Sequence, residues 1–263
     1  MRNTCFARFV LAALALFAVT IGASIAQPSA APPAAGRPTI VLVHGAFADA
    51  LGWQRLIPIL ERDGYEVLAV ENPLASLAGD VETTKRFLAG VNGPIVLVGH
   101  SYGGAVITGA AAGNPNVKAL VYLAAFAPEA GEPIGAFGDK YPVDLNSALK
   151  PDSAGYLYVD RARFRPLFCA DLPEGDARVA AATQKPVHNS VFSASVPEAA
   201  WKTIPSWFLV SQDDHAINPD LERFYAKRMN AKTSEVKSSH VAFISHPDVV
   251  AKLIEQAASA PAK

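Results

Sequence analysis

Four apolar, β-prone residues, Ile95 to Val98, run straight into Gly99-His100-Ser101-Tyr102-Gly103-Gly104, and small residues suited to a helix follow. No other stretch of the chain restricts its fold as tightly. A strand that becomes a helix within a few residues must turn sharply, and bulky neighbours do not fit such a turn. Gly99 and Gly103 flank Ser101 for that reason. The turn leaves the Ser101 hydroxyl exposed at its tip, above the free N–H groups of a helix N-terminus, where the dipole favours negative charge. Gly-x-Ser-x-Gly alone is a common pattern. Bounded by a buried strand and a helix start, it specifies a nucleophile at the end of a strand.

The surrounding sequence alternates in the way such a turn requires. Residues 39–43 form a short β-branched run. Residues 51–62 have helical spacing and end before Asp63-Gly64; 65–70 read as a strand, 81–91 as a helix stopped by Asn92-Gly93-Pro94. After the strand 95–98 and the helix 102–112 comes another strand at 119–123. Continuous apolar strands between amphipathic helices imply an α/β fold, a mostly parallel sheet covered on both faces. The rhythm lapses over 128–202, which is rich in proline, glycine and aromatics and too long for a plain loop. We expect an inserted cap there, helical in part. The alternation resumes with a strand at 206–210, a helix at 219–229, a strand at 234–237 and a closing helix at 247–257. The sheet should hold about six strands.

The N-terminus has a different character. Arg2 and Arg8 precede an apolar stretch, 9–26, that ends in Ser24-Ile25-Ala26. This pattern predicts a secretory signal over 1–26, cut after Ala26. The alternative is a membrane anchor, since the stretch approaches spanning length. The small-residue exit and the Pro/Ala-rich lead-in at 27–38 favour the signal and an exported, periplasmic or extracellular protein without a stable anchor. The folded domain would then occupy 39–263. Cys5 would leave with the signal, so Cys169 would stand alone and no internal disulfide could form. Flanked by Phe168 and Ala170, Cys169 reads as a packed hydrophobe. The net charge of −1 and the lack of any basic block make nucleic acid an unexpected partner. No metal-ligand pair or phosphate loop is present, and no cofactor is expected. The oligomeric state is not encoded in any pattern here.

A serine hydroxyl needs a base to take its proton and a group to orient that base. In this architecture they follow in the order Ser, acid, His, on loops that open at one edge of the sheet. The strand at 206–210 runs into Asp213-Asp214, and the last strand into Ser238-Ser239-His240. His240 is the expected base. His44 and His100 lie in motif turns and should brace them; His188 falls in the cap, His215 should be exposed, and His246 precedes a helix. Asp214 is the expected acid, with adjacent Asp213 and then Glu129 as alternatives. Two N–H donors should face the developing oxyanion: that of Tyr102, and that of Ala46 in the turn His44-Gly45-Ala46-Phe47. Tyr141, Tyr156, Tyr158, Phe164, Phe168 and Phe192 are candidates for lining a pocket or for holding the cap to the core.

From residue 39 to the last helix, the chain resembles the α/β-hydrolase superfamily. Within that superfamily it resembles the branch of plant methylesterases, hydroxynitrile lyases and bacterial esterases of similar size. The residues that carry the resemblance are Val43-His44-Gly45-Ala46, Gly99 to Gly104, Asp214 with Ile217, and Ser239-His240. It implies a serine hydrolase that cleaves small to medium apolar carboxylic esters through an acyl-enzyme. Lyases of the branch carry a threonine where Gly45 stands and a lysine where Val241 stands. This chain has neither, so the resemblance points to ester cleavage; a lyase or a cofactor-free perhydrolase on the same triad is the alternative, which the products would separate. A binding protein that has lost catalysis would have no use for all three of Ser101, Asp214 and His240.

Overall fold

In the computed structural model, residues 36–261 are described. The expected signal at 1–26 and most of the lead-in at 27–38 lie outside them.

Six strands form the central sheet: β1 (Thr39–Val43), β2 (Val67–Val70), β3 (Ile95–His100), β4 (Val117–Leu123), β8 (Ser206–Ser211) and β9 (Lys232–Val236). Their spatial order is β2-β1-β3-β4-β8-β9, and every neighbouring pair is parallel. The α/β-hydrolase fold expected from the sequence is the fold observed. Between the strands run the helices α1 (Ile57–Arg62), α2 (Leu77–Ala89), α3 (Tyr102–Ala110) and α6 (Pro219–Arg228), and α7 (Ala242–Ser245) and α8 (Pro247–Ala258) follow the last strand. Strands β1 and β3 are buried along their whole length, as continuous apolar strands covered on both faces must be. The chain winds outward from β1 in one direction to β2 and then in the other through β3. The β1–β3 boundary is therefore the topological switch point, where loops part and leave a crevice. Register across it pairs Val43 with Gly99, which sets the loop after β1 beside Ser101.

Some boundaries differ from the sequence reading. The single helix expected over 51–62 is a 3-10 turn (Ala50–Arg55) followed by α1. Pro58 has no N–H to give and would clash with the preceding turn, so the helix restarts with Pro58 in its first turn. Helix α2 begins four residues before the expected position, because the Ser76 hydroxyl accepts the Gly79 N–H at 3.1 Å and caps it there. The segment 128–202 holds α4 (Arg161–Phe168) and α5 (Glu174–Thr183). It also contains an antiparallel sheet of β5 (Leu149–Pro151), β6 (Tyr156–Val159) and β7 (Val187–His188). Among the described residues, no helix is long and apolar enough to cross a membrane.

Candidate active site

Strand ends at the carboxyl edge of the sheet build the site. Immediately after β3, Ser101 adopts φ 55° and ψ −124°, a conformation that side chains disfavour. Its surroundings enforce it. The Ser101 N–H donates to the Leu123 carbonyl at 3.1 Å, and its own carbonyl accepts from Gly104 N–H at 3.0 Å and Phe126 N–H at 3.1 Å. A Cβ at Gly99 would lie 2.6 Å from the Gly103 carbonyl oxygen, and one at Gly103 would run into the Val43 carbonyl. The turn closes only because both positions lack a side chain.

After β8, Asp214 is buried while Asp213 is exposed, its N–H turned to the Ser238 carbonyl at 3.0 Å. Asp214 Oδ1 accepts from Ala216 N–H (2.6 Å) and Ile217 N–H (2.9 Å), and Oδ2 lies 2.5 Å from His240 Nδ1. With Oδ2 accepting, Nδ1 carries the ring proton and Nε2 presents its lone pair. That Nε2 is buried and has no hydrogen-bond partner. It belongs to a ring on the wall of the same cavity as Ser101. Glu129 is elsewhere, paired with Lys202.

Two further histidines hold the machinery in place. His100 Nε2 donates to the His240 carbonyl at 2.9 Å, and the two rings lie 4.6 Å apart. Burial, and after it the neighbouring His240, keeps His100 well below the usual imidazole range, so it is a neutral brace. His44 Nδ1 donates to the Gly45 carbonyl and its Nε2 accepts the Asn72 N–H, both at 2.9 Å. Burial lowers this ring also. The turn it fixes carries Ala46. The Ala46 and Tyr102 N–H groups both belong to residues lining the cavity, and neither has an acceptor among the described residues. The Tyr102 side chain points away into the core, where its hydroxyl donates to Asp80 Oδ2 at 2.6 Å.

The cavity measures about 210 Å³. A pocket of roughly 150 Å³ takes up benzene, so this one has room for a substituted ring or a short branched chain. Of the aromatics singled out in the sequence, Tyr141, Phe168 and Phe192 line it. Tyr156, Tyr158 and Phe164 do not: Tyr156 stacks edge-on with His188, Tyr158 is exposed, and Phe164 is buried behind Phe168. Ile134, Val143, Leu145 and Ile217 complete an apolar wall that no sequence period announced. Cys169 is buried and its thiol is pushed up to about 12 by burial, then by Asp171, which leaves it no nucleophilic role.

Sequence reasoning missed two carboxyls. Asp171, in the inserted segment, accepts from Ser238 Oγ (3.0 Å), Ser239 N–H (3.1 Å) and Ser239 Oγ, and so clamps the loop that delivers His240. Glu222, on α6, is fully buried beside Asp214. Neither lies in a motif. Only the tertiary fold brings them to the site.

A strand-end serine, a buried carboxylate–imidazole pair and a neutral, glycine-shaped turn on a parallel sheet define a hydrolase of the α/β class. The chain belongs to the alpha/beta hydrolase family, whose model matches residues 40–253. Among its relatives, a pyrethroid hydrolase of Sphingobium wenxiniae is 29% identical over 85% of this chain and 89% of its own. A putative chloroplastic methylesterase of Arabidopsis thaliana is 26% identical over 85% of this chain and 57% of its own. The crystal structure of a pyrethroid hydrolase from Sphingobium faniae superposes with a TM-score of 0.73 at 24% identity, covering 85% of this chain and 98% of that one.

Proposed function

We propose that this protein is a carboxylic ester hydrolase that works through a Ser101–His240–Asp214 triad on small to medium apolar esters. The buried Asp214–His240 contact at 2.5 Å carries this reading, because it fixes one imidazole tautomer and leaves Nε2 free at the cavity that Ser101 lines. His240 Nε2 takes the Ser101 proton as Oγ attacks the ester carbonyl. The Ala46 and Tyr102 N–H groups hold the tetrahedral oxyanion; losing one such donor costs about a hundredfold or more in rate. The alcohol leaves with the proton from His240. Water, activated by the same ring, then frees the acid and restores Ser101. Asp214 steadies the imidazolium and takes no proton. The apolar lining supports an apolar acyl or alcohol group, as do relatives named as pyrethroid and carbendazim esterases.

Gly45 favours ester cleavage over cyanohydrin chemistry. A Cβ there would lie 2.6 Å from Ser101 Cβ and 2.9 Å from the His100 carbonyl oxygen. The threonine that lyases of the branch use has no room in this turn.

A fluorophosphonate probe tests the nucleophile: labelling of the wild type and none of Ser101→Ala is the expected outcome, and an unlabelled, folded wild type overturns the reading. Asp214→Asn should leave the fold intact and lower kcat by up to about 10⁴-fold. Loss with Asp213→Asn in its place would move the acid by one residue. Hydrolysis rates over a panel of esters graded in length and aromaticity define the substrate. We further propose export by the segment 1–26; Edman sequencing of secreted protein should begin at or near Gln27, and an intact Met1 in the membrane fraction would refute it.

A further inference from the structure

Glu222 is a fully buried carboxyl beside Asp214 that the triad chemistry leaves unused. It projects from α6 towards the loop after β8. Its Oε2 accepts the Ser211 N–H at 3.0 Å. Its Oε1 is buried and meets no N–H or O–H donor among the described residues. The Ser211 it holds accepts the Asp214 N–H at 3.3 Å through its carbonyl, and the Asp214 carboxylate, itself an acceptor, is the charged neighbour that acts on Glu222. Two acceptors face each other, and a hydrogen bond between them needs a proton that no third group brings.

The charges nearby decide where that proton comes from. The groups facing Glu222 are Asp214, across the β8 loop, and Arg223, next on the helix. Arg223 offers little compensation, because its guanidinium is turned outward to Glu235 (2.7 and 2.9 Å) and Asp220 (2.8 Å). Asp214 accepts from three donors, Ala216 N–H, Ile217 N–H and the His240 ring, whereas Glu222 accepts from Ser211 N–H alone, so of the two it is Glu222 that is short of donors. Two carboxylates in contact without water cannot both ionise. Burial, and after it the Asp214 charge, pushes Glu222 well above the ordinary carboxyl range.

We propose that Glu222 is a positioning residue, a neutral carboxylic acid whose Oε1–H donates to the Asp214 carboxylate and holds it in the orientation that His240 requires. The line of contacts then runs Glu222, Asp214, His240, and the negative charge stays on the member that touches the imidazole. An ionised Glu222 would compete with Asp214 for that role. The effect on rate rests on the triad reading above; the protonation state of Glu222 does not.

The experiment therefore has a spectroscopic part and a kinetic part. Infrared difference spectra of the folded protein near pH 7 should show the carbonyl band of a buried, protonated carboxylic acid that is missing from Glu222→Gln. Absence of the band, or its persistence in Glu222→Gln, overturns the proposal whether or not the protein cleaves esters. Glutamine keeps a donor for Asp214 and an acceptor for Ser211 and should retain kcat within a few-fold. Glu222→Ala removes a hydrogen bond to a charged group, which is worth about tenfold or more in kcat, with KM little changed. A fully active Glu222→Ala, or a Glu222→Gln as impaired as alanine, overturns the positioning role. Stability provides a check that does not depend on alanine folding. A carboxyl raised in the folded state contributes stability below its unfolded range, about pH 4.3, and loses it as pH rises through the folded value. Denaturant titrations should show Glu222→Gln gaining on the wild type as pH rises from about 4, and a constant difference refutes the assignment.

Discussion

Tyr102 does two unrelated things with one residue. Its N–H faces the cavity from the first position of α3, while its ring runs 0% exposed into the core and bonds Asp80. Asp80 in turn accepts the Leu74 N–H at 2.9 Å, so the tip of α3 is tied to the start of α2. Burial raises the Asp80 carboxyl, and the tyrosine hydroxyl supports its charged form against that. Tyr102→Phe strands one carboxylate oxygen in the core, at a cost of roughly 1–3 kcal/mol. The sign of its pH dependence follows. Asp80 loses stability as pH rises through its raised folded value, and without the hydroxyl that value climbs further. The deficit in urea melts should therefore be larger at pH 7 than at pH 4.

Among the elements, α2 shows how much depends on a helix end. The Ser76 cap sets where the helix starts, and that start sets the turn on which Asp80 reaches Tyr102. Ser76→Ala should cost about 1 kcal/mol, read as a lowered denaturation midpoint with unchanged m-value. Apolar spacing alone placed the helix later, at 81–91. The turn at Ser101 was legible because its requirements are local: the two glycines answer to contacts within a few residues and to the neighbouring strand β1. Strands β1, β3, β4 and β8 were legible because burial on both faces leaves continuous apolar runs. The strands β5, β6 and β7 were not, since segments of three, four and two residues are too short to show a period and are made by their pairing. Asp171 and Glu222 escaped for a related reason. Asp171 sits some 67 residues from the serines it binds, and neither Asp171 nor Glu222 belongs to a spacing rule.

For the whole molecule, the inserted segment is fastened to the sheet by polar ties at separate places. Arg228 grips Glu132 through two nitrogens at 2.6 and 3.0 Å, Lys185 reaches Glu71 at 2.5 Å, and Asp171 holds the loop before His240. Burial alone would raise the Asp171 carboxyl; hydrogen bonds from Ser239, Ser245 and Ser238 outweigh it and hold the group below its ordinary range. A lowered carboxyl contributes stability that is complete above its unfolded value and is lost as pH falls through the folded one. Asp171→Asn should therefore flatten the decline of Tm below about pH 4, and should lower kcat by freeing the His240 loop. A Tm profile parallel to that of the wild type would show that the clamp contributes nothing in acid.

The sealed thiol of Cys169 has a practical side. It is the single cysteine among the described residues, shut behind Phe168 and held in its unreactive protonated form. In the protein cut after Ala26, as proposed, which lacks Cys5, a second cysteine engineered onto the exposed surface of α5, for instance at Val179, would be the one that a maleimide dye finds. The molecule thus comes ready for site-specific labelling, and a fluorophore there would report directly on how far the inserted segment moves when an ester enters.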